Sequence, residues 1–210
     1  MKKISGKREA AAALGKKTPA GDALIPGLYF RRTGEENTRK TLELAAKRAD
    51  ELGIKHILVA TTSGKTGALA ADFFKGKNVI IVTHSMGFAT PGYQELKPGY
   101  EKKIRAAGAK ILTCQHAFGG VGRAVRKKLG TYELEEIVAY TLRIFGEGTK
   151  VAVEIAVMAA DAGLIPVGEP CLSIGGTGSG ADTAVLLKPS NAQMFFDLRL
   201  MEILAKPRLA

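Results

Sequence analysis

The sequence predicts an α/β fold built on a largely parallel sheet, and three observations carry that prediction. Asn78 to Thr83 is a continuous apolar run, as expected of a strand covered on both faces. Strand-like runs alternate with stretches of helical apolar spacing from residue 28 to about residue 113. The run Ile57 to Ala71 reads as a buried strand, a small polar loop and then a helix. Its loop holds Thr61, Thr62, Ser63, Gly64, Lys65 and Thr66. Free N–H groups and the positive end of the helix dipole make such a corner an anion site. Four hydroxyls exceed what capping needs, although a single Ser or Thr acting as N-cap is the plainer reading. Gly64-Lys65-Thr66 matches the tail of the nucleotide-triphosphate loop, but Val59 stands where that loop needs glycine. The turn is therefore sized for one phosphate.

Bulk composition narrows the classes. A chain of 210 residues with 46% hydrophobic residues and 25 glycines suits one compact domain. The net charge of +11 invites nucleic acid or anionic metabolites. The basic residues are spread along helices without aromatic interleaving, so nucleic acid is not the expected partner. Cys114 and Cys171 lie far apart in strand-like surroundings and read as reduced thiols, which makes the cytoplasm the expected location. No run is long and apolar enough for a membrane span.

Along the chain, residues 1–27 read as a basic arm, either poorly ordered or packed on a neighbouring subunit, and residues 28–210 as the α/β domain. Leu28-Tyr-Phe30 is a short strand. A helix follows, capped by Asn37 or Thr38 and ended at Gly53. Thr33, Gly34, Glu36 and Asn37 would sit at that first strand-to-helix junction, on the edge where ligands bind. Asn78 to Thr83 delivers Thr83, His84, Met86, Gly87 and Phe88 to the same edge. Lys110 to Thr113 delivers His116 and Phe118. His84 and His116 follow strands at corresponding places, either as a polar pair able to donate or move a proton or as loop residues satisfying local backbone. No ligand set for a metal joins them.

Helices are expected from Gly119, from Tyr132 to Phe145 with Thr131 as cap, and from Thr149 to Ala162. The last is apolar nearly all round, so Glu154 needs a partner, either a ligand donor or an arginine. Cys171 to Ile174 and Ala184 to Leu187 are strands flanking a second glycine loop. Gly176, Thr177, Gly178, Ser179, Asp182 and Thr183 of that loop either approach a ligand or form a flexible hairpin. Residues 195–205 fit neither period and read as an amphipathic closing element.

The run Val59 to Ala71, followed by Val79-Ile-Ile-Val-Thr83, resembles the C-terminal domain of pyruvate kinase. There a T-x-S-G-x-T loop holds a phosphate of a sugar bisphosphate effector, and the matching residues are Thr61, Ser63, Gly64 and Thr66. Over residues 28–207 the chain is more similar to stand-alone proteins of that superfamily. That similarity rests on Gly34-Glu-Glu-Asn-Thr38, Ala156-Val-Met-Ala-Ala-Asp161, Gly180-Ala-Asp-Thr-Ala184 and Asn191…Phe195-Phe-Asp197. The resemblance implies a three-layer α/β/α sandwich with a mixed sheet of about five strands, and it suggests flavin mononucleotide (FMN) as a ligand. No catalytic barrel accompanies the domain, so pyruvate kinase activity is not expected. A flavin-dependent oxidoreductase, a sensor of a phosphorylated sugar and a homo-oligomer stay open. The basic arm, Cys114 and Lys65 lie outside the resembling pattern.

FMN also fits the residues. It carries one terminal phosphate, its ribityl hydroxyls find partners in Thr83, His84 and the second glycine loop, and Met86, Phe88 and Phe118 offer an apolar wall.

Overall fold

A computed structural model describes residues 24–208, so all but the end of the predicted arm lies outside the described residues. Seven strands form one mixed sheet: β1 (Leu28–Phe30), β2 (His56–Ala60), β3 (Asn78–Val82), β4 (Lys110–Leu112), β5 (Cys171–Gly175), β6 (Thr183–Lys188) and β7 (Arg199–Pro207). Their order is β1-β7-β6-β5-β2-β3-β4. Only β6 runs against the rest, antiparallel to both β5 and β7. The carboxyl ends of the other six strands therefore share one edge.

Among the described residues there are six α-helices: α1 (Thr38–Leu52), α2 (Lys65–Phe73), α3 (Pro98–Ala106) and α6 (Glu147–Asp161) pack on the sheet, and α4 (Val121–Leu129) and α5 (Leu134–Arg143) pack outside α6. Period-two alternation sorts the strand residues between two layers. Ile57, Val59, Val79, Ile81, Leu172 and Ile174 face α1, α2 and α3 through Leu42, Ala45, Ala70, Phe74 and Ile104. Leu58, Ile80, Val82, Val185 and Leu187 face α6 through Ala152, Ile155, Ala156 and Ala159. The result is the expected α/β/α sandwich. Outside α6, Phe118, Ala139 and Val153 form a small satellite core.

Several expectations are corrected. The sheet has seven strands rather than about five, because β7 and β1 extend it beyond β6. The supposed closing element at residues 195–205 is a short 3-10 segment, Ala192–Asp197, followed by β7. Its exposure changes along its length, with Arg199 to Met201 exposed and Leu204 and Ala205 buried, so no single period shows. Neither Asn37 nor Thr38 caps α1 through its side chain; a 3-10 turn, Glu35–Asn37, leads directly into it. Helix α5 begins at Leu134 with Glu133 rather than Thr131 at its N-cap, and ends at Arg143. Helix α6 begins at Glu147, two residues before the expected Thr149.

Candidate functional site

At the carboxyl edge, where β2 lies between β3 and β5, a cavity of about 560 Å³ opens. Ligand sites in open parallel sheets lie at such edges, and this volume falls within the usual range of about 300–1,000 Å³. The Thr61–Thr66 loop forms one wall. It is anchored at both ends, by Thr61 N–H donating to Val82 O and Lys97 N–H donating to Ser63 O. Gly64 has φ of 94°, and a Cβ there would lie 2.6 Å from Leu96 and 2.7 Å from Tyr100. Only glycine lets this corner turn so tightly against α3.

Thr61 is buried and takes the capping role. Its Oγ1 accepts from the N–H groups of Gly64 (3.2 Å) and Gly67 (3.3 Å). The N–H groups of Lys65 and Thr66, between those two, meet no acceptor among the described residues, nor do the hydroxyls of Thr62, Ser63 and Thr66 find a partner there. Thr62, Ser63 and Thr66 all line the cavity. Capping thus falls to Thr61, and the hydroxyls of Thr62, Ser63 and Thr66 are not used for it. The Lys65 ammonium is held by Glu35, whose hydrogen bond and charge raise the lysine's pKa.

The second glycine loop reaches the same cavity through Gly176, Gly178, Ser179 and Gly180. Asp182 does not line it. Fully buried, it organises the loop by accepting from Gly34 N–H (3.0 Å), Thr177 N–H (3.2 Å) and Thr183 Oγ1 (2.9 Å). Gly34, Asn37, Thr177 and Thr183 likewise stay off the lining, and Glu35 takes the place expected for Gly34 and Asn37. The Asn37 side chain donates instead to Arg32 O (2.8 Å).

On the β3–β4 side stand His84, Phe88 and His116. Phe88 stacks on His84 with centroids 4.0 Å apart and on His116 at 4.9 Å. His84 Nδ1 is paired with Glu95 at 2.7 Å. Thr83 lines the cavity, but its hydroxyl is already engaged with Thr113 Oγ1 at 2.6 Å. Met86 is exposed and Gly87 is not part of the cavity lining, while Phe118 is buried edge-on to Phe195. Of the three residues expected as an apolar wall, only Phe88 lines the cavity, joined by Val82, Ile155 and Met158. His56 lies at the opposite, amino end of β2 beside Asn78.

Glu154 lines the cavity without a free carboxylate. Its partner is a lysine, not the arginine envisaged: Lys150 Nζ sits 2.5 Å from one oxygen, and Phe118 N–H donates to the other at 3.0 Å. Burial pushes the Glu154 carboxyl up, but His116 and Lys150 outweigh it and hold it at about 2. His116 Nδ1 is 3.6 Å from that carboxylate, too far for a hydrogen bond, so Lys150 is the stronger restraint on geometry.

Arg123, Arg143, Glu147 and Lys150 also line the cavity, and the site residues read from the sequence did not include them. Three of them were visible through i,i+4 pairs, Arg143–Glu147 and Lys150–Glu154, both of which form. Arg123 carried no comparable signal.

The fold defines an α/β domain with a cavity at the carboxyl edge of its sheet, walled on one side by the Thr61–Thr66 loop. The family model described as "Pyruvate kinase, alpha/beta domain" matches residues 39–187, and the chain belongs to that family. Among solved structures it is similar to a pyruvate kinase from Cryptosporidium parvum, at 14% identity with a TM-score of 0.40 over 73% of this chain and 23% of that one. A second structure of that organism's pyruvate kinase, in complex with ADP, matches at 14% identity and a TM-score of 0.37, covering 80% of this chain and 24% of the other. The chain thus spans about a quarter of the length of those enzymes. Among the described residues, no helix is long and apolar enough to cross a membrane.

Proposed function

We propose that this protein binds a phosphate monoester at the Thr61–Thr66 loop, and that flavin mononucleotide is the ligand. The observation that carries this is the set of donors at the start of α2 without a protein partner among the described residues: two backbone N–H groups and three hydroxyls, beside one cavity. Hydrogen bonds to an anion are about twice as strong as neutral ones, and a phosphate dianion also gains from the helix dipole. One short loop matches one phosphate. The glycine backbone from 176 to 180 is open to a polyhydroxyl chain, and Phe88, Ile155 and Met158 supply an apolar wall for a ring.

A second reading is a sensor of a phosphorylated sugar without catalysis. It is favoured by Glu35 and Glu147, which line the cavity and each keep one carboxylate oxygen beyond the one paired with Lys65 or Arg143, able to accept from a sugar hydroxyl. Thermal-shift measurements with FMN and with sugar phosphates separate the two. At a hundredfold excess over Kd a ligand stabilises by about 2.7 kcal/mol, or roughly 5–10 °C for a chain of this size. Ser63→Asp puts a carboxylate beside the phosphate and should abolish the shift for either ligand. A full shift in that variant would remove the loop from the reading.

A further inference from the structure

The β3–β4 end of the cavity holds two donors that phosphate binding at the loop leaves unused. Four cations line the cavity, and three of them are paired: Lys65 with Glu35, Arg143 with Glu147 and Lys150 with Glu154. Arg123 has no carboxylate partner among the described residues, and its guanidinium lies 4.8 Å from the Phe88 ring centroid. His116 lines the same cavity, and both its ring nitrogens are buried with no hydrogen-bond partner, Nδ1 lying 3.6 Å from the Glu154 carboxylate. A buried imidazole with neither nitrogen satisfied is costly unless something supplies the missing partner. A nearby free guanidinium fixes the kind of group required: a hydrogen-bond acceptor with negative character.

We infer that Arg123 and His116 form a second recognition pole that reads the acceptor-bearing edge of a planar ring. The ligand class is then a phosphorylated heteroaromatic compound, a mononucleotide, and not a simple sugar phosphate. This rests on the phosphate loop reading for the other end of the same ligand. Two features favour a ring over a second phosphate. Phe88 stacks on both His84 and His116, with interplanar angles of 29° and 25°, so aromatic rings crowd this end of the cavity. Val82, Ile155 and Met158 also line the cavity and offer an apolar surface to a ring but no partner to a second phosphate.

The test is a set of dissociation constants measured by calorimetry for FMN, riboflavin, glycerol 3-phosphate and fructose 1,6-bisphosphate. The proteins are the wild type, Arg123→Gln, His116→Leu, His116→Gln and Ser63→Asp. Arg123 sits half-exposed on α4, so its replacement leaves the core untouched. Arg123→Gln and His116→Leu should each weaken FMN and riboflavin by about tenfold and leave glycerol 3-phosphate unchanged. His116→Gln, which keeps a donor, should restore part of the loss. The pole is overturned if FMN binds both variants as it binds the wild type, if glycerol 3-phosphate is weakened as much as FMN, or if fructose 1,6-bisphosphate binds the wild type more tightly than FMN. Failure at the loop reads differently. There Ser63→Asp leaves FMN and glycerol 3-phosphate unaffected, while the riboflavin comparison still judges Arg123 and His116.

Discussion

Replacing Glu154 by Gln tests how the buried floor of the cavity is held. Glu154 is 2% exposed and Lys150 3% exposed, and their charged atoms are 2.5 Å apart. In the native protein the Glu154 pKa falls from 4.5 to about 2. That difference corresponds to about 3 kcal/mol favouring the ionised carboxylate in the folded state. A depressed carboxyl pKa contributes its stability above the unfolded value and loses it as pH falls through the folded one. This contribution is therefore complete at pH 6 and disappears between about pH 5 and pH 2. Glu154→Gln abolishes it and leaves Lys150 buried without a counter-charge, at a cost of about 3–5 kcal/mol at neutral pH. Urea unfolding of both proteins at pH 7, 5, 4 and 3 measures the gap. It should be about 3–5 kcal/mol at pH 7 and close steadily below pH 5. A gap that stays constant down to pH 3 would refute the assignment of an ionised, lysine-paired Glu154.

Two further substitutions probe the second glycine loop. In Gly180→Ala a Cβ would lie 2.4 Å from the Glu35 backbone at a position with φ of 72°, so the loop must shift. The expected cost is about 1–3 kcal/mol in urea unfolding, with weakened FMN binding; unchanged stability would mean the loop is not packed against the Glu35–Asn37 turn. Asp182→Ala leaves two N–H groups, those of Gly34 and Thr177, without their acceptor. Each stranded donor costs about 1–3 kcal/mol. Hydrogen exchange at Gly34 and Thr177 should speed up first, and equal protection in both proteins would contradict the role given to Asp182.

The parts of the fold legible in the sequence are those where local pattern and burial agree. The run Ile57 to Ala71 shows a strand, turn and helix because its strand is buried on both faces and its turn needs Gly64. Strand β7 was hidden because it goes from exposed to buried along its length, and its pairing with β1 joins residues far apart in sequence. Site residues split in the same way. The hydroxyls at 62, 63 and 66 could be read from local chemistry. Asp182 and Thr183 carried the same polar signal, but the backbone N–H groups of Gly34 and Thr177 draw Asp182 inward, and the Thr183 hydroxyl follows it. Arg123 reaches the cavity only through the way α4 docks, which no local spacing encodes. Lys150 could have been found, since a lysine four residues before a glutamate on an otherwise apolar helix satisfies both groups.

The position of phosphorus in crystals grown with FMN tests the loop most directly. The phosphate should accept hydrogen bonds from Ser63 Oγ and from the N–H groups of Lys65 and Thr66, with the ring turned toward Phe88. Phosphate lying instead against Arg123, or FMN bound outside this cavity, would contradict the central claim.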